Sequence, residues 1–356
     1  MYSHTILYLS RGRGFGHSVL DIEIGLKIRD KLPMSKVVFA SYEDGLRAFD
    51  KYKIDCIDLG LAKEDEFNSS KTIPCLQNVV RLIRPQLIIS DELFFAPLVA
   101  QTNKIKCIFI THWFFSNGGF EPSVKFDKII NLSSDIIMLD IQKFHPKPAF
   151  ITAPVHYVGP IIRYPDPCTK NIKKPYIVIG VGGCTQLFQI LIEKIMQSLI
   201  HINKDYHIVV LAVEPYISNH FKQYAETIKL FNSTIYNYLP NPMQIMANAQ
   251  LVIGRGSYGV MAELAALGTP SVQIVDTNNH IDNIHAHNFE KLGTIKLLND
   301  NVSVDELKKM ISIAIKWSVE KREIIFNAGA EYRNFDASKT ITEIVSNRIN
   351  NDICAY

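Results

Sequence analysis

A histidine and an aspartate, far apart in the sequence, each follow a predicted strand and could together move a proton. His17 lies in SRGRGFGHSVL after the first apolar strand, and Asp91 ends the apolar run LIISD. Ligands of an open parallel sheet bind outside the carboxyl ends of its strands. A carboxylate bonded to one ring nitrogen would fix the tautomer of the imidazole and leave the other nitrogen to accept a proton. We therefore predict that His17 and Asp91 form a general-base pair.

Each member of this pair also has a simpler explanation. His17 falls at the start of a predicted helix, where the dipole favours its neutral form, and it could be a cap-region residue alone. Asp91 could be the N-cap of the next helix, a position that Asp favours. Gly14 and Gly16 permit a tight turn and close approach of a ligand, but their spacing is not the dinucleotide fingerprint. It is the pairing that favours the catalytic interpretation.

A second candidate site lies in the stretch from Leu251 to Val275, LVIGRGSYGVMAELAALGTPSVQIV. The pattern predicts a strand, a glycine-rich turn, a helix from Val260 that stops at Gly268, and a second strand. Such a turn presents unpaired N–H groups and the positive end of the helix dipole to an anion. Glu263 is one helical turn beyond the last glycine of the turn, so it could reach back to a bound ligand.

Two other segments carry polar candidates. In VGGCTQ, Gly182, Gly183 and Thr185 offer N–H groups and a hydroxyl to a phosphate, although a simple tight turn explains them equally well. In HIDNIHAH, which begins at His280, the gaps between histidines are five and two residues and do not match the i, i+4 spacing of zinc ligands on a helix. We therefore predict no metal there, but either hydrogen bonds to a polar ligand or an exposed helix start.

The elements that must position these residues alternate between apolar strands and helices, which is typical of parallel α/β sheets. Predicted strands lie at Thr5–Leu9, Lys36–Ala40, Leu87–Ser90, Cys107–Thr111, Ile136–Leu139, Tyr176–Val181, Ile208–Val213, Thr234–Tyr238, Leu251–Ile253, Ser271–Val275 and Ile295–Leu298. The sequence predicts an α/β protein with two doubly wound, Rossmann-like domains. Proline-rich sequence interrupts the alternation, and the predicted division is 1–160, a linker at 161–175, a second domain at 176–320 and a helical segment at 321–356.

Composition excludes several classes of function. A net charge of +3 over 356 residues, without a run of like charges, does not suggest a nucleic-acid partner. No apolar run approaches the roughly 18 residues of a membrane span, and the first residues lack the pattern of a secretory signal. The six cysteines have no CxxC spacing, so reduced thiols in a cytoplasmic protein are expected.

Together these residues resemble those of a GT-B glycosyltransferase, in the group of the bacterial peptidoglycan N-acetylglucosaminyltransferase and the UDP-glycosyltransferases of secondary metabolism. The most specific part is Leu251–Val275 with YLPNPMQIMANAQ before it. The resemblance implies that the two domains face a cleft and that the last helix returns to the first domain.

The resemblance also implies roles for single residues. Tyr238 and Leu239 would adjoin the nucleobase, the glycine turn would receive the diphosphate, Glu263 would hold the ribose hydroxyls, and Thr111 would lie near the donor sugar. The dyad of the metabolite-modifying members falls on His17 and Asp91. The donor-binding residues implied are Gly14, Gly16, Thr111, Gly182, Gly183, Thr185, Tyr238, Leu239, Arg255, Gly256, Ser257, Tyr258, Gly259, Glu263, His280, Asp282 and Asn283.

Two departures from the pattern bear on specificity. Relatives carry an acid–glutamine pair and then Asn-Ala, where this chain has Asp282 or Asn283 near the Gln position and His285 near the Asn. The sugar preference is therefore not implied. Arg11 and Arg13 add positive charge to the first glycine loop, which would suit an acidic or phosphorylated acceptor; two solvated arginines are the alternative.

The function implied is inverting, metal-independent transfer of a sugar from a UDP- or dTDP-type donor to a hydroxyl of a small-molecule, lipid or glycan acceptor. The donor is a co-substrate, no cofactor is expected, and the chain is expected to be a monomer or homodimer. The alternatives are a nucleotide-sugar 2-epimerase of the same fold and a non-catalytic nucleotide-sugar-binding subunit. Peripheral membrane contact through Trp113–Phe115 is a minority alternative to a core or acceptor-pocket role for these aromatics.

Overall fold

The chain forms two compact units, each built around one parallel sheet. The computed structural model describes residues 2–118, 123–165, 175–180, 186–212, 215–230 and 232–353. The first unit comprises Met1–Ile161 and Phe335–Tyr356, and the second comprises Ile162–Asn334. The predicted α/β class with two doubly wound sheets is confirmed.

The first unit contains a seven-stranded sheet in the order β3-β2-β1-β4-β5-β6-β7, and each neighbouring pair is parallel. Its elements are β1 (His4–Leu9), α1 (Phe15–Lys31), β2 (Ser35–Ser41), α2 (Asp44–Lys51), β3 (Cys56–Asp58), α3 (Ser69–Ile83), β4 (Leu87–Asp91), α4 (Ala96–Thr102), β5 (Lys106–Thr111), α5 (Ser123–Ile130), β6 (Asp135–Met138) and β7 (Val155–Tyr157). The edge strands β3 and β7 were not predicted, because three residues are too few to show an apolar period.

The second unit contains a six-stranded sheet in the order β10-β9-β8-β11-β12-β13, again with parallel neighbours. Its elements are β8 (Tyr176–Gly180), α6 (Gln186–Leu199), β9 (His207–Leu211), α7 (Pro215–Thr227), β10 (Ser233–Tyr236), α8 (Met243–Met246), β11 (Leu251–Arg255), α9 (Tyr258–Leu267), β12 (Ser271–Val275), α10 (His280–Leu292), β13 (Ile295–Asn299), α11 (Val304–Glu320), α12 (Arg322–Ala328) and α13 (Ala330–Arg333). Every predicted strand is present, with ends shifted by at most two residues.

Both sheets reverse their winding beside their first strand. In the first sheet the chain runs from β1 outward to β3, then returns to β4 on the other side of β1. In the second sheet it runs from β8 outward to β10 and returns to β11 beside β8. Ligands of doubly wound sheets bind at this switch point, outside the carboxyl ends of the two central strands. The switch points are therefore where functional side chains are expected.

The last helix, α14 (Ala337–Ile353), belongs to the first unit. Ile341 and Val345 are buried in the apolar core of that unit, and Arg348 donates two hydrogen bonds to Asp135 at 2.5 and 2.8 Å. This return begins at Phe335, later than the position 321 given by the sequence, because α12 and α13 pack on α9 in the second unit.

The helix–helix contact that holds α12 and α13 in the second unit depends on a glycine. A Cβ added to Gly329 would lie 1.8 Å from the carbonyl oxygen of Ala265 in α9. No other residue type allows the two backbones to approach so closely. The segment after α11 therefore completes the second unit before the chain returns to the first.

The aromatic segment Trp113–Phe115 is part of the interior of the first unit. The side chains are 5%, 0% and 3% exposed, and Phe115 packs on Phe94 and Phe126 with ring centroids 4.7 and 5.0 Å apart. These aromatics are core residues, so they do not support the minority expectation of membrane contact. Within the part of the chain that the structure describes, no helix is both long enough and apolar enough to cross a bilayer.

Candidate functional site

The switch point of the first sheet brings His17 and Asp91 together. Asp91 is the last residue of β4, and His17 lies in the first turn of α1, just beyond β1. Nδ1 of His17 lies 2.7 Å from Oδ2 of Asp91. The turn between β1 and α1 requires a glycine at Gly14, where φ is +86°, and leaves open space beside Gly16. The side chain of His17 is 24% exposed, so this pair is open to a ligand on one side.

The hydrogen bond defines what the imidazole can do. Burial lowers the pKa of His17, but the charge of Asp91 and its hydrogen bond raise that pKa by more, so it lies above its ordinary value. The raised pKa is the opposite of the expectation that the helix dipole favours the neutral ring. Because Nδ1–H donates to Asp91, Nε2 is the nitrogen that can accept a proton once the ring is neutral.

Arg11 is buried at the same edge and is bonded to two glutamates. Its guanidinium donates to Glu92 and lies 2.6 Å from Glu66, and both carboxylates are fully buried. Burial lowers the pKa of Arg11, but the two glutamates raise it by more, so the group stays charged. The expectation that Arg11 supplies positive charge to an acidic acceptor is wrong, since its charge is already neutralised. Arg13 remains 56% exposed and lies 3.8 Å from Glu66.

Glu92 joins this ion pair to a second histidine. His112, the residue after β5, has Nδ1 2.9 Å from Oε1 of Glu92. The Thr111 hydroxyl donates to the same oxygen at 2.8 Å. Burial raises the pKa of Glu92, but His112 and then Arg11 lower it well below its ordinary value. The backbone of Glu92 is left-handed, with φ of +48°, and strain of this kind in a residue other than glycine is concentrated at functional sites.

Thr111 was expected to lie near the donor sugar, and the structure gives it a different environment. The residue is fully buried, and its hydroxyl is 2.8 Å from Glu92 and 3.0 Å from the carbonyl oxygen of Trp113. A side chain without exposed surface can orient Glu92 but cannot touch a ligand in this arrangement. The contribution of Thr111 is therefore indirect.

A buried acid lies behind the His17–Asp91 pair. Asp21, on α1, accepts hydrogen bonds from Tyr8 at 2.9 Å and from Ser10 at 2.6 Å. Burial and the nearby charge of Asp91 raise the pKa of Asp21 well above its ordinary value. Asp21 is therefore protonated more readily than an exposed aspartate, which reduces the repulsion between it and Asp91.

The switch point of the second sheet contains a shorter glycine turn than predicted. Gly254 and Arg255 continue β11, and Gly259 lies in the first turn of α9. The Gly256 N–H donates to Ile274 across the sheet at 2.9 Å, so this amide is not directed at a ligand. Met261 donates the first bond within the helix, to Ser257, and the amides of the first turn therefore point out of the helix end.

The two glycines of this turn serve different purposes. A Cβ on Gly256 would lie 2.6 Å from Val275, so this glycine permits close packing inside the sheet. A Cβ on Gly259 would meet nothing within 4 Å. Open space in front of the N-terminus of α9 is the arrangement that an anion needs. Tyr258, which begins the helix, packs on His285 with ring centroids 4.6 Å apart.

Glu263, expected to hold ribose hydroxyls, is bonded to an arginine. Its carboxylate is 2% exposed and accepts hydrogen bonds from Nε and Nη2 of Arg163, both at 2.7 Å, and from the backbone N–H of Arg163 at 3.1 Å. A bidentate pair of this kind is among the stronger hydrogen-bonded contacts in proteins. In this structure both oxygens of Glu263 are therefore used.

Further residues of the predicted donor site lie at the start of α10. Arg255 donates to Asp282 at 3.3 Å, and Asn279, the N-cap of α10, donates to the same carboxylate at 2.7 Å. Asn283 donates to the backbone carbonyls of Asp276 and Asn279. The amide of Asn283 thus holds the turn before α10.

The remaining predicted residues are less closely tied to the switch point. His280 begins α10 and is exposed. Tyr238 and Leu239 follow the carboxyl end of β10, and both are half-buried. Gly182, Gly183 and Thr185 lie outside the described residues.

Three partners at these sites were not predicted, although two of them had a signal in the sequence. Glu92 and His112 each directly follow a residue that was singled out, Asp91 and Thr111, at the ends of adjacent strands. Polar residues in consecutive positions after neighbouring strands could have been considered together. Arg163 is 100 positions from Glu263 in the sequence, and no local pattern connects the two.

The second unit matches a known family. Residues 177–322 match the glycosyltransferase family 28 C-terminal domain. This match covers the glycine turn, Glu263 and the start of α10. Compared along its whole length, the sequence matches no curated protein.

Solved structures resemble the whole chain at low sequence identity. The crystal structure of the glycotransferase of kitacinnamycin has 14% identity and a TM-score of 0.72 over 97% of this chain and 98% of that one. The glycosyltransferase VinC in complex with dTDP has 13% identity and a TM-score of 0.68, covering 96% and 98%. The UDP-GlcNAc 2-epimerase from Neisseria meningitidis bound to UDP-GlcNAc has 15% identity and a TM-score of 0.62, covering 96% and 100%. The fold is that of the GT-B glycosyltransferases, as the resemblance implied.

Proposed function

We propose that the protein transfers a sugar from a nucleoside-diphosphate sugar to an acceptor hydroxyl, starting from the match of residues 177–322 to the glycosyltransferase family 28 C-terminal domain. The donor is of the UDP or dTDP type, and the anomeric configuration is inverted. The observation that carries the proposal is the His17–Asp91 hydrogen bond at the switch point of the first sheet. A base held there is what an inverting transfer needs.

The base acts in a single displacement. Nε2 of His17 removes the proton of the acceptor hydroxyl as its oxygen attacks the anomeric carbon, and the bond from that carbon to the diphosphate oxygen breaks. Asp91 orients the ring and stabilises the imidazolium that forms, as in other histidine–carboxylate pairs. The proton thus ends on His17, and the electron pair of the broken bond leaves with the nucleoside diphosphate.

The second unit contributes groups suited to the nucleotide. The N-terminus of α9, with open space at Gly259, offers N–H groups and a dipole to the diphosphate. Arg255, 24% exposed at the end of β11, adds a positive charge at the same edge. Fixed dipoles and a guanidinium can stabilise the leaving group, so we propose that the transfer requires neither a metal nor another cofactor.

Glu263 is proposed to bind the ribose hydroxyls in exchange for Arg163. A carboxylate accepts two hydroxyl hydrogen bonds as readily as it accepts a bidentate guanidinium. Donor binding would then release Arg163 from Glu263.

Thermal unfolding with a panel of nucleotides tests the donor half of the proposal. A ligand that binds only the folded state raises the midpoint by mass action, by about 2.7 kcal/mol of stability at a concentration of 100 Kd. We expect UDP or dTDP and the matching sugars to raise the midpoint and GDP to leave it unchanged. Absence of a shift with every nucleotide would overturn the proposal.

A nucleotide-sugar 2-epimerase shares this fold, so the fold does not separate the two activities. Incubation of UDP-GlcNAc without an acceptor separates the transferase activity from the epimerase activity. We expect the donor to be recovered unchanged, and release of UDP only when a hydroxyl acceptor is added. Conversion of the donor alone into a second nucleotide-sugar would favour the epimerase.

A further inference from the structure

A third acidic or basic side chain lies behind the His17–Asp91 pair and has no part in the proposed displacement. Asp21 follows His17 by four residues on α1, and side chains at this spacing lie on one face of a helix. The carboxyl group of Asp21 is in hydrogen-bonding contact with that of Asp91. Asp91 therefore contacts two side chains from adjacent turns of α1, the other being His17, whose Nδ1 lies 2.7 Å away.

Two hydroxyl groups hold the carboxyl group of Asp21. Tyr8 donates to Oδ1 at 2.9 Å and Ser10 donates to Oδ2 at 2.6 Å. The Ser10 hydroxyl is in turn 2.9 Å from that of Ser18. Asp21 is 2% exposed, and the three hydroxyl-bearing residues are fully buried. The orientation of Asp21 is therefore fixed from β1 and from the turn that follows it.

A hydrogen bond between two carboxyl groups requires a proton on one of them. An ionised carboxylate only accepts hydrogen bonds, whereas a protonated one donates through its O–H. Asp91 is the member of the two that accepts from the imidazole of His17. Burial and the neighbouring charge of Asp91 raise the pKa of Asp21 well above its ordinary value. Geometry and environment therefore both favour a proton on Asp21.

We propose that Asp21 is a positioning residue of the base: as a neutral acid it donates a hydrogen bond to Asp91 and holds that carboxylate against Nδ1 of His17. This inference rests on the proposed function for the role of His17. Asp21 is buried and touches no substrate. Its removal leaves Asp91 free to turn away from the imidazole, so that proton transfer slows while both substrates bind as before.

Other titratable and charged groups face these side chains and are unchanged in the variants that test the proposal. Those that face His17 are Asp91, Arg11, Glu92 and His112, and those that face Asp21 are Tyr8, Cys56 and Asp91. A change in the titration of His17 that follows a substitution of Asp21 is then assigned to Asp21.

Nuclear magnetic resonance of the protein without substrate tests the protonation of Asp21. In protein labelled at the aspartate carboxyl carbons, the Asp21 signal, assigned by its absence in Asp21→Asn, should have the shift of a protonated acid at neutral pH. In protein labelled at histidine, Asp21→Asn should leave the pH midpoint of His17 unchanged, because an amide replaces a neutral acid and still donates to Asp91. A carboxylate shift for Asp21 would overturn the proposal. So would a lower midpoint of His17 in Asp21→Asn, which is the effect of removing a negative charge.

A second signal separates positioning from packing. The Nδ1 proton of His17, which is bonded to Asp91, should move upfield in Asp21→Ala and keep its position in Asp21→Asn. If Asp21 serves only to accept hydrogen bonds from Tyr8 and Ser10, that proton stays in place in both variants, and the proposal is overturned. If Asp21→Ala does not fold, the carboxyl signal of the wild type and the His17 midpoint of Asp21→Asn still decide.

Asp135→Asn is the matched control for these measurements. Asp135 is also a fully buried acid of the first unit, bonded to His156 and Arg348, but it begins β6 and so lies at the opposite end of the strands from His17. Its substitution should change neither the midpoint of His17 nor the position of the Nδ1 proton. A change as large as that in Asp21→Ala would mean that any lost buried acid disturbs the base, which would overturn the proposal.

Turnover keeps this inference distinguishable from the proposed function. The donors are UDP-glucose, UDP-GlcNAc and dTDP-glucose, and the acceptors are a panel of neutral sugars, polyols and phenols. Asp21→Ala should lower kcat about tenfold, as expected for one hydrogen bond to a charged group, and leave both KM values unchanged. Asp21→Asn should recover kcat. If the resonance changes occur but the wild type transfers sugar to no acceptor, the proposed function fails and the positioning role stands. Transfer by Asp21→Ala at the wild-type kcat would overturn the positioning role alone.

Discussion

The switch points of the two sheets differ in how their charged residues are bonded. In the first sheet the acids behind the imidazoles bond to Arg11, Thr111 and the two histidines, all within the same edge. In the second sheet Glu263, the acid expected to meet the nucleotide, is bonded to Arg163. The first edge can receive a substrate as it stands, whereas the second must exchange a partner. In the proposed mechanism, nucleotide binding at the second edge is therefore coupled to the release of Arg163 from Glu263.

The largest expected effect is on the free energy of unfolding of the first unit. Arg11→Met leaves Glu66 and Glu92 buried without their cation, and breaking a buried ion pair in this way destabilises proteins by about 3–5 kcal/mol. The chain's two tryptophans are Trp113 and Trp317. Urea unfolding of a Trp317→Phe background, followed by Trp113 fluorescence, reports the first unit.

The loss of stability caused by Arg11→Met should depend on pH, because it comes from the two buried glutamates. Burial raises the pKa of Glu66 even beside Arg11, and without the arginine both acids would protonate more readily. The deficit of Arg11→Met should therefore be largest at neutral pH and shrink as the pH falls. Arg47→Met is the control, because Arg47 forms a half-exposed pair with Asp44 and should change stability by less than about 1 kcal/mol. If Arg11→Met loses no more stability than Arg47→Met, then the ion pairs of Arg11 with Glu66 and Glu92 do not stabilise the first unit.

The next effect is on turnover. His17→Ala should lower kcat at least about a hundredfold, the usual contribution of a general base, while the midpoint shift produced by the nucleotide survives. His201→Ala, which replaces an exposed histidine of the second unit, should leave both quantities unchanged. Near-normal turnover in the His17 variant would mean that the first edge does not carry the base.

The next prediction concerns nucleotide affinity. Tenfold changes of opposite sign in two variants would establish that the nucleotide replaces Arg163 at Glu263. Glu263→Gln should weaken UDP or dTDP binding, whichever the panel selects, by about tenfold, as expected for hydrogen bonds to a charged acceptor. Arg163→Met should tighten it by about tenfold, because the free protein no longer has a contact to give up.

Calorimetric titration of each variant measures both affinities. Lys291→Met, an exposed cation on α10, serves as the neutral control. If Arg163→Met weakens binding as much as Glu263→Gln does, then Arg163 positions the acid. The contrast between the two edges would then be lost.

The smallest expected effect is a shift in a pH profile. A base must be neutral, so kcat/KM should rise with pH through the pKa of His17, which lies above its ordinary value of 6.5. Asp91→Asn removes the charge that raises this pKa, while burial still lowers it, so the acid limb should move to lower pH. Arg11 and Glu92 also act on His17 and are unchanged in the variant. Asp55→Asn, at an exposed position, should not move the limb. If the acid limb of the kcat/KM profile does not move in Asp91→Asn, then that limb reports the titration of a group other than His17.

Sequence patterns were sufficient for the sheets apart from the edge strands β3 and β7, and for the His17–Asp91 contact but not for the Glu263–Arg163 contact. The runs that became β1 and β4 are largely apolar, Asp91 ends β4, and His17 lies in the helix that follows β1. Both were therefore expected at the carboxyl edge of one sheet, which is why they could be paired. Arg11 was misplaced because a charged residue in a glycine loop normally faces solvent, and its burial depends on Glu66, from a different loop. Arg163 could not be placed, since ion pairs between distant segments follow from tertiary packing.

The position of α14 determines when the first unit can be completed during translation. Residues 335–356 complete the first unit, yet in the sequence they come after the whole of the second. On the ribosome, the sheet that ends at Asp91 emerges before the second unit, but Ile341 and Val345 reach its core only after the second unit has been translated. The second unit is free to fold while the first still lacks a helix. The apolar face that α14 covers is thus exposed while the second unit is translated, which makes a holding chaperone most useful at that stage.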